Sequence, residues 1–247
     1  MTDGETALFD LISTLCGIPG PVGHEDRVQD WVAERWGAFA LETRRKRVDN
    51  VLAHVGGAGP RLLVMAHADE IAFMVKSVTD DGFLHIWPYY GDTRGHPPRW
   101  IMPLNQPATV LTADGLVPGV FATASGHVVG GRDNPAFRYE WNDWFVDVGA
   151  SSRAEVDALG VRPGCRIVWD SPVRRLGPAH LVGKAMDDRV ALAIATLAGE
   201  ALSGRDDLAY DVWLASTIQE ENGLSGASSV MDALDVDLCL NLDVGLT

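Results

Sequence analysis

The stretch Arg61-Leu62-Leu63-Val64-Met65-Ala66-His67-Ala68-Asp69-Glu70 carries an almost unbroken apolar run that gives way to one imidazole and two carboxylates. Without polar alternation from Leu62 on, Arg61 to Ala66 reads as a strand buried on both faces, the kind found inside α/β sheets. His67, Asp69 and Glu70 then lie at its carboxyl end, the edge where open α/β sheets place their ligands. Upstream, Val48 to Val55 reads as a second strand. Leu8, Leu11, Ile12 and Leu15 recur at helical spacing and stop at the breaker Gly17-Ile18-Pro19-Gly20-Pro21. Val28, Trp31, Val32 and Trp36 form the apolar stripe of a second helix, with Glu25 and Asp26 in a first turn whose dipole favours acids.

Downstream of Ile71 the texture changes. Phe73 to Val78, Phe83 to Trp87, Ala108 to Thr112, Gly119 to Thr123 and Trp144 to Val148 are short strand candidates separated by turn residues, the pattern of a small all-β barrel or sandwich. After about Pro172 the α/β texture returns. Asp188 to Leu202 is apolar nearly all round and reads as a buried helix, while Tyr210 to Thr217 and Leu238 to Leu242 read as interior strands. The expected fold is therefore α/β: a mixed-sheet domain from residues 1–70 and 171–247, interrupted by an all-β insert at residues 71–170.

Composition narrows the function. The 247 residues are 47% hydrophobic and 22% charged, which describes a folded globular chain. No apolar run reaches the ~18 residues of a membrane helix, and Met1-Thr2-Asp3-Gly4-Glu5 lacks the basic flank of a signal peptide, so a cytoplasmic protein without membrane association is expected. A formal charge of -14 argues against nucleic-acid binding and suits sites that hold cations. Cys16, Cys165 and Cys239 are far apart and read as reduced, mostly buried thiols rather than nucleophiles. The aromatic span Trp87, Tyr89, Tyr90, Trp100, Trp141 and Trp144 reads as core or interface packing rather than a substrate shelf.

Four segments carry chemistry. If the chain stays extended, His67 and Asp69 point the same way; the carboxylate can take the proton of one ring nitrogen and leave the other for a metal. The alternative is a strand-end histidine beside a solvated aspartate. Gly183-Lys184-Ala185-Met186-Asp187-Asp188-Arg189 sets two acids at the mouth of the apolar helix, where capping explains one and a bridging metal carboxylate would explain the other. Glu220 and Glu221 follow an apolar strand, where adjacent side chains diverge; one can bind a metal while the other takes a proton from the attacking water. Asp243 ends a third apolar strand. Asp187, Glu221 and Asp243 would together bring three negative charges to two divalent cations, leaving about one positive charge to acidify a water.

These motifs resemble the dinuclear-metal aminopeptidases of the glutamyl and lysyl aminopeptidase type, which assemble as hollow tetrahedral dodecamers. Pro19-Gly20-Pro21, Val48-Asp49-Asn50, Thr112-Ala113-Asp114-Gly115, Val117-Pro118-Gly119-Val120 and Phe145-Val146-Asp147-Val148-Gly149-Ala150 extend the resemblance along the chain. It implies a metallopeptidase domain of the phosphorylase/hydrolase-like kind with an inserted dimerisation domain. It implies two divalent ions per subunit, Zn or Co, with His67 and Asp243 on one, Glu221 on the other, and Asp187 bridging. Glu220 would be the general base and Asp69 the partner behind His67. Peptide substrates and a homo-oligomer of dimers follow from the same likeness. Two departures stand beside it. Ala191 replaces a usual glycine, and the family's further metal-binding histidine lies well beyond the position of Asp243, where none of the seven histidines here can be assigned. A C-terminally truncated product, or completion by another polypeptide, is the corresponding expectation, and a noncatalytic assembly subunit is the alternative function. A two-carboxylate glycosidase built on Glu220 and Glu221 is disfavoured by the divergence of adjacent strand residues.

Overall fold

The computed structural model describes residues 3–89, 103–125 and 140–245, so Tyr90 and Trp100 of the aromatic span lie outside the described residues. Helices α1 (Asp3–Gly17) and α2 (Asp26–Gly37) precede strands β1 (Glu42–Arg45), β2 (Val51–Gly56) and β3 (Arg61–His67). Strands β4 (Ala72–Val78), β5 (Leu84–Tyr89), β6 (Pro107–Thr112), β7 (Gly115–Thr123), β8 (Trp144–Asp147) and β9 (Arg166–Trp169) follow, with helix α3 (Arg153–Ala158) between the last two. Then come β10 (Arg174–Leu176), β11 (His180–Val182), α4 (Met186–Leu202), β12 (Asp211–Thr217), α5 (Ser225–Ala233) and β13 (Leu238–Asn241). The chain forms two compact units, Met1–Glu70 with Pro172–Thr247, and Ile71–Ser171.

In the first unit the sheet order is β1-β2-β12-β3-β13. Strands β12 and β13 run parallel to β3, and β2 runs antiparallel to β12, so the sheet is mixed. Period-two alternation sorts the strand side chains onto two faces. Val51, Ala53, Val64, Ala66, Val212 and Leu214 join the core beneath α1, α2 and α4; Leu52, Leu63, Trp213 and Ala215 join Val230 and Leu234 at α5. With both faces covered, a strand carries apolar residues at successive positions, which is why Leu62 to Ala66 of β3 and Val212 to Ala215 of β12 read as continuous runs. The helical stripe of α2 is buried at Val28, Val32 and Trp36, and the Trp36 indole donates to Thr196 Oγ1 at 2.8 Å.

β13 is as apolar as an interior strand; among the described residues it pairs with β3, and Leu238 and Leu240 are about half exposed, at 48% and 51%. Cys239 is also exposed, while Cys16 is buried and Cys165 half-buried. Helix α4 covers one sheet face and turns Ile194, Ala198 and Ala201 outward, so it is not buried all round. Strand β1, Glu-Thr-Arg-Arg, has no apolar signal and exists because it pairs with β2.

The second unit is a closed barrel in the order β4-β5-β8-β7-β6-β9. Closure pairs every strand on both sides and leaves no edge. Phe73, Val75, Leu84, Ile86, Val110, Phe121, Val146 and Ile167 fill it. Trp141 and Trp144 are buried, with the Trp87 and Trp141 ring centroids 5.6 Å apart, so these members of the aromatic span pack the barrel core. Outward on β7, Leu116 and Val120 remain exposed. Among the described residues no helix is long and apolar enough to cross a membrane.

Candidate metal centre

Because β3, β12 and β13 are parallel and in register, Thr217 opposite His67 and Asn241 opposite Met65, their carboxyl ends share one rim of the first unit. That rim collects His67 from β3, Glu220 and Glu221 from the loop after β12, and Asp243 after β13, while the start of α4 adds Asp187 and Asp188. Donor atoms of His67, Glu220 and Glu221 lie within 4.8 Å of one another, as do those of His67, Asp187 and Asp243. The buried His67 imidazole is common to both groups. Its Nε2 is 3.0 Å from Asp187 Oδ1 and 3.9 Å from Glu220 Oε2. All five sequence-predicted acid and imidazole positions outside Asp69 therefore meet at one place.

The electrostatics are those of crowded anions. Burial alone would pull the His67 imidazole down, but the carboxylates of Asp187 and Asp69 outweigh it and raise it to about 10. Burial pushes Glu221 up to about 7, with the Asp187 charge adding to it. Asp188 reaches about 7, also through burial, despite the attraction of His67. Glu220 is raised by burial first and then by Asp243, Asp69 and Asp187, against the pull of His67. An imidazole nitrogen and carboxylate oxygens gathered in this way form a donor set that could hold a divalent cation in place of those protons.

Several residues differ from their sequence reading. Asp69 Oδ1 comes 3.3 Å from His67 Nδ1. Its two oxygens also accept the backbone N–H groups of Glu220 and Glu221, each at 3.0 Å, and with His67 they hold the carboxyl below its usual range against the opposing effect of burial. Neither aspartate caps α4: Asp187 and Asp188 have non-helical dihedrals, Asp187 is exposed, and the buried Asp188 accepts the His67 backbone N–H at 3.3 Å. Glu220 and Glu221 converge rather than diverge, because β12 ends at Thr217 and Gln219 takes a left-handed φ of 52°, so strand alternation no longer applies. What sets them apart from a glycosidase pair is the company of His67. Asp243 is exposed beyond β13 and accepts from Val244 N.

Beneath the rim lies a layer the sequence reading did not assign. Lys184 Nζ donates to both oxygens of Glu70 at 2.9 Å, with both side chains buried, and Gly20 N donates to Glu70 Oε1 at 3.0 Å. Arg189, fully buried, donates to the carbonyls of Leu15 and Ile18. Glu25 is not a solvated first-turn acid: it precedes α2, is 3% exposed, and its Oε1 accepts from Gly23 N and Gln219 N. A signal was present in Lys184, a lone cation directly before an apolar helix.

An α/β unit with an imidazole and carboxylates gathered at the ends of parallel strands has the layout of a hydrolase-type cation site. The chain belongs to the M42 glutamyl aminopeptidase family, whose profile matches residues 49–247. It is similar to the lysyl aminopeptidase of Pyrococcus furiosus, at 28% identity over 240 residues that cover 96% of this chain and 66% of that protein. An aminopeptidase structure from the archaeon Desulfurococcus kamchatkensis superposes with a TM-score of 0.86 at 33% identity, covering 98% of this chain and 64% of that one. The TET1 peptidase of Pyrococcus horikoshii, described as assembling into a tetrahedron or a large octahedral shell, gives a TM-score of 0.82 at 26% identity, covering 96% of this chain and 68% of that one. The chain thus spans just under two thirds of the length of the lysyl aminopeptidase it matches.

Proposed function

We propose that this chain carries the catalytic rim of a metal-dependent aminopeptidase that releases N-terminal residues from peptides. The observation that carries the reading is the buried His67 imidazole shared by two groups of carboxylate donors, each within 4.8 Å. His67, Asp187 and Asp243 would hold one divalent ion and Glu221 the other, with Asp187 between them; Zn2+ and Co2+ both suit these donors. Bound there, the ions would polarise the peptide carbonyl and lower the pKa of the attacking water. Glu220, raised above an ordinary carboxylate, accepts the proton of that water and returns it to the leaving amine. The noncatalytic alternative has no comparable support, since the relatives are named as aminopeptidases. The barrel, with Leu116 and Val120 exposed, is the surface proposed for self-association into dimers and, by likeness to TET1, a larger shell such as a dodecamer.

The test is hydrolysis of an aminoacyl anilide by the purified protein with Zn2+ or Co2+, before and after chelation. Glu220→Gln should keep its metal and lose turnover by at least ~10²-fold, the lower end of general-base contributions. Metal lost in step with activity would make Glu220 a ligand instead.

A further inference from the structure

Beyond Thr217 the last rung of the β12–β3 ladder has been used, and the next four amides have no strand partner. Each nevertheless donates to a buried side-chain oxygen. Ile218 N donates to Asn50 Oδ1 at 3.1 Å, Gln219 N to Glu25 Oε1 at 3.1 Å, Glu220 N to Asp69 Oδ1 at 3.0 Å and Glu221 N to Asp69 Oδ2 at 3.0 Å. The three acceptors come from separate places: the residue preceding α2, the residue preceding β2 and the residue two beyond β3. Asn50 and Asp69 are fully buried and Glu25 nearly so. Asn50 Nδ2 also donates to Gly226 O at 2.8 Å, tying the start of α5 to the same point. Gly226 tolerates no side chain there, since a Cβ would lie 2.3 Å from Ile218 O and 2.8 Å from Asn50 Oδ1.

We propose that Glu25 and Asn50, together with Asp69, form a side-chain cradle that replaces the missing strand and aims Glu220 and Glu221. Glu25 and Asn50 are thus positioning residues for the base and the ligand. An unsupported loop would relax Gln219 out of its left-handed conformation, which is unfavourable for a residue with a Cβ. Extended chain would then send the two carboxylates to opposite sides. The Asp69 carboxylate grips consecutive amides and so fixes the peptide plane between the two glutamates; Asn50 and Glu25 hold the two residues before it. Buried donors without acceptors would be costly, so the cradle is all-or-none in character.

This inference rests on the metal reading of the rim, and the experiment separates the two. Co2+ is titrated by calorimetry and by its visible d–d absorption, which reports ligand geometry, while amide hydrogen exchange is followed at residues 218–221. Glu25→Met and Asn50→Leu remove an acceptor at similar volume; Glu25→Gln keeps a carbonyl oxygen in place. The first two should lose protection at these amides, alter the d–d bands and weaken Co2+ binding by about 10- to 100-fold, the usual effect of removing an outer partner of a metal site. Glu25→Gln should retain all three properties. Variants that melt earlier yet keep the Co2+ affinity and d–d bands of the unsubstituted protein would overturn the positioning role. Should Glu25→Met or Asn50→Leu fail to fold, fast exchange at residues 218–221 in the unsubstituted protein would overturn it equally. An unsubstituted protein that takes up no Co2+ but protects these amides would instead sink the metal reading.

Discussion

Glu25→Gln should make the metal-free protein more stable at alkaline pH, an unusual outcome for a fully packed polar residue. Glu25 Oε1 accepts from Gly23 N and Gln219 N, bonds that a glutamine carbonyl can make equally. The ionised form is nevertheless disfavoured: burial lifts the carboxyl from 4.5 to about 7, the Asp69 charge adds to this, and the two backbone N–H groups only partly oppose it. For a group whose folded pKa is raised, the stabilising contribution is complete below the unfolded value and is lost as pH rises through the folded one. The window therefore runs from about pH 4.5 to about 7. At ~1.4 kcal/mol for each tenfold change in proton affinity, the gap between those two values amounts to about 3 kcal/mol of stability lost by the wild type and kept by the variant. Urea denaturation with chelator present, at a series of pH values from about 4 to about 8.5, measures it as the difference between the two midpoints at unchanged slope. Glu221 and Asp188 titrate in the same window, but they do so in both proteins and cancel. Equal stabilities at the alkaline end would refute the reasoning, because they would mean that the Glu25 charge is compensated where it lies.

Asp187→Asn should abolish tight binding of both ions, since its carboxylate stands 3.0 Å from the imidazole common to both donor groups; two ions per chain by elemental analysis would contradict this. Lys184→Met removes the cation paired with the buried Glu70 and should destabilise the fold by about 3–5 kcal/mol, whereas adding Glu70→Leu should recover most of the loss in the same denaturation assay. Replacing the exposed Leu116 and Val120 with glutamate should lower the assembly mass in light scattering without lowering the barrel's contribution to unfolding; an unchanged mass would remove this face from the interface.

The sequence alone determined the features that local hydrophobicity encodes. Leu62 to Ala66 and Val212 to Ala215 are apolar at every position because the sheet is covered on both sides, and a polar cluster at the end of such a run has to lie at a rim. The change at Ile71 to short alternating strands marked the second unit for the same reason, since a strand with one buried face writes its period into the residues. Tertiary structure decided the rest. The convergence of Glu220 and Glu221 depends on amides held by Asn50, Glu25 and Asp69, residues 151 to 194 positions away. Glu25 looks like any acid at a helix start until the folded chain closes over it. Periodicity reports which side of an element faces the core; it carries no record of which distant side chain will accept a given amide, because that contact exists only once the whole unit has packed.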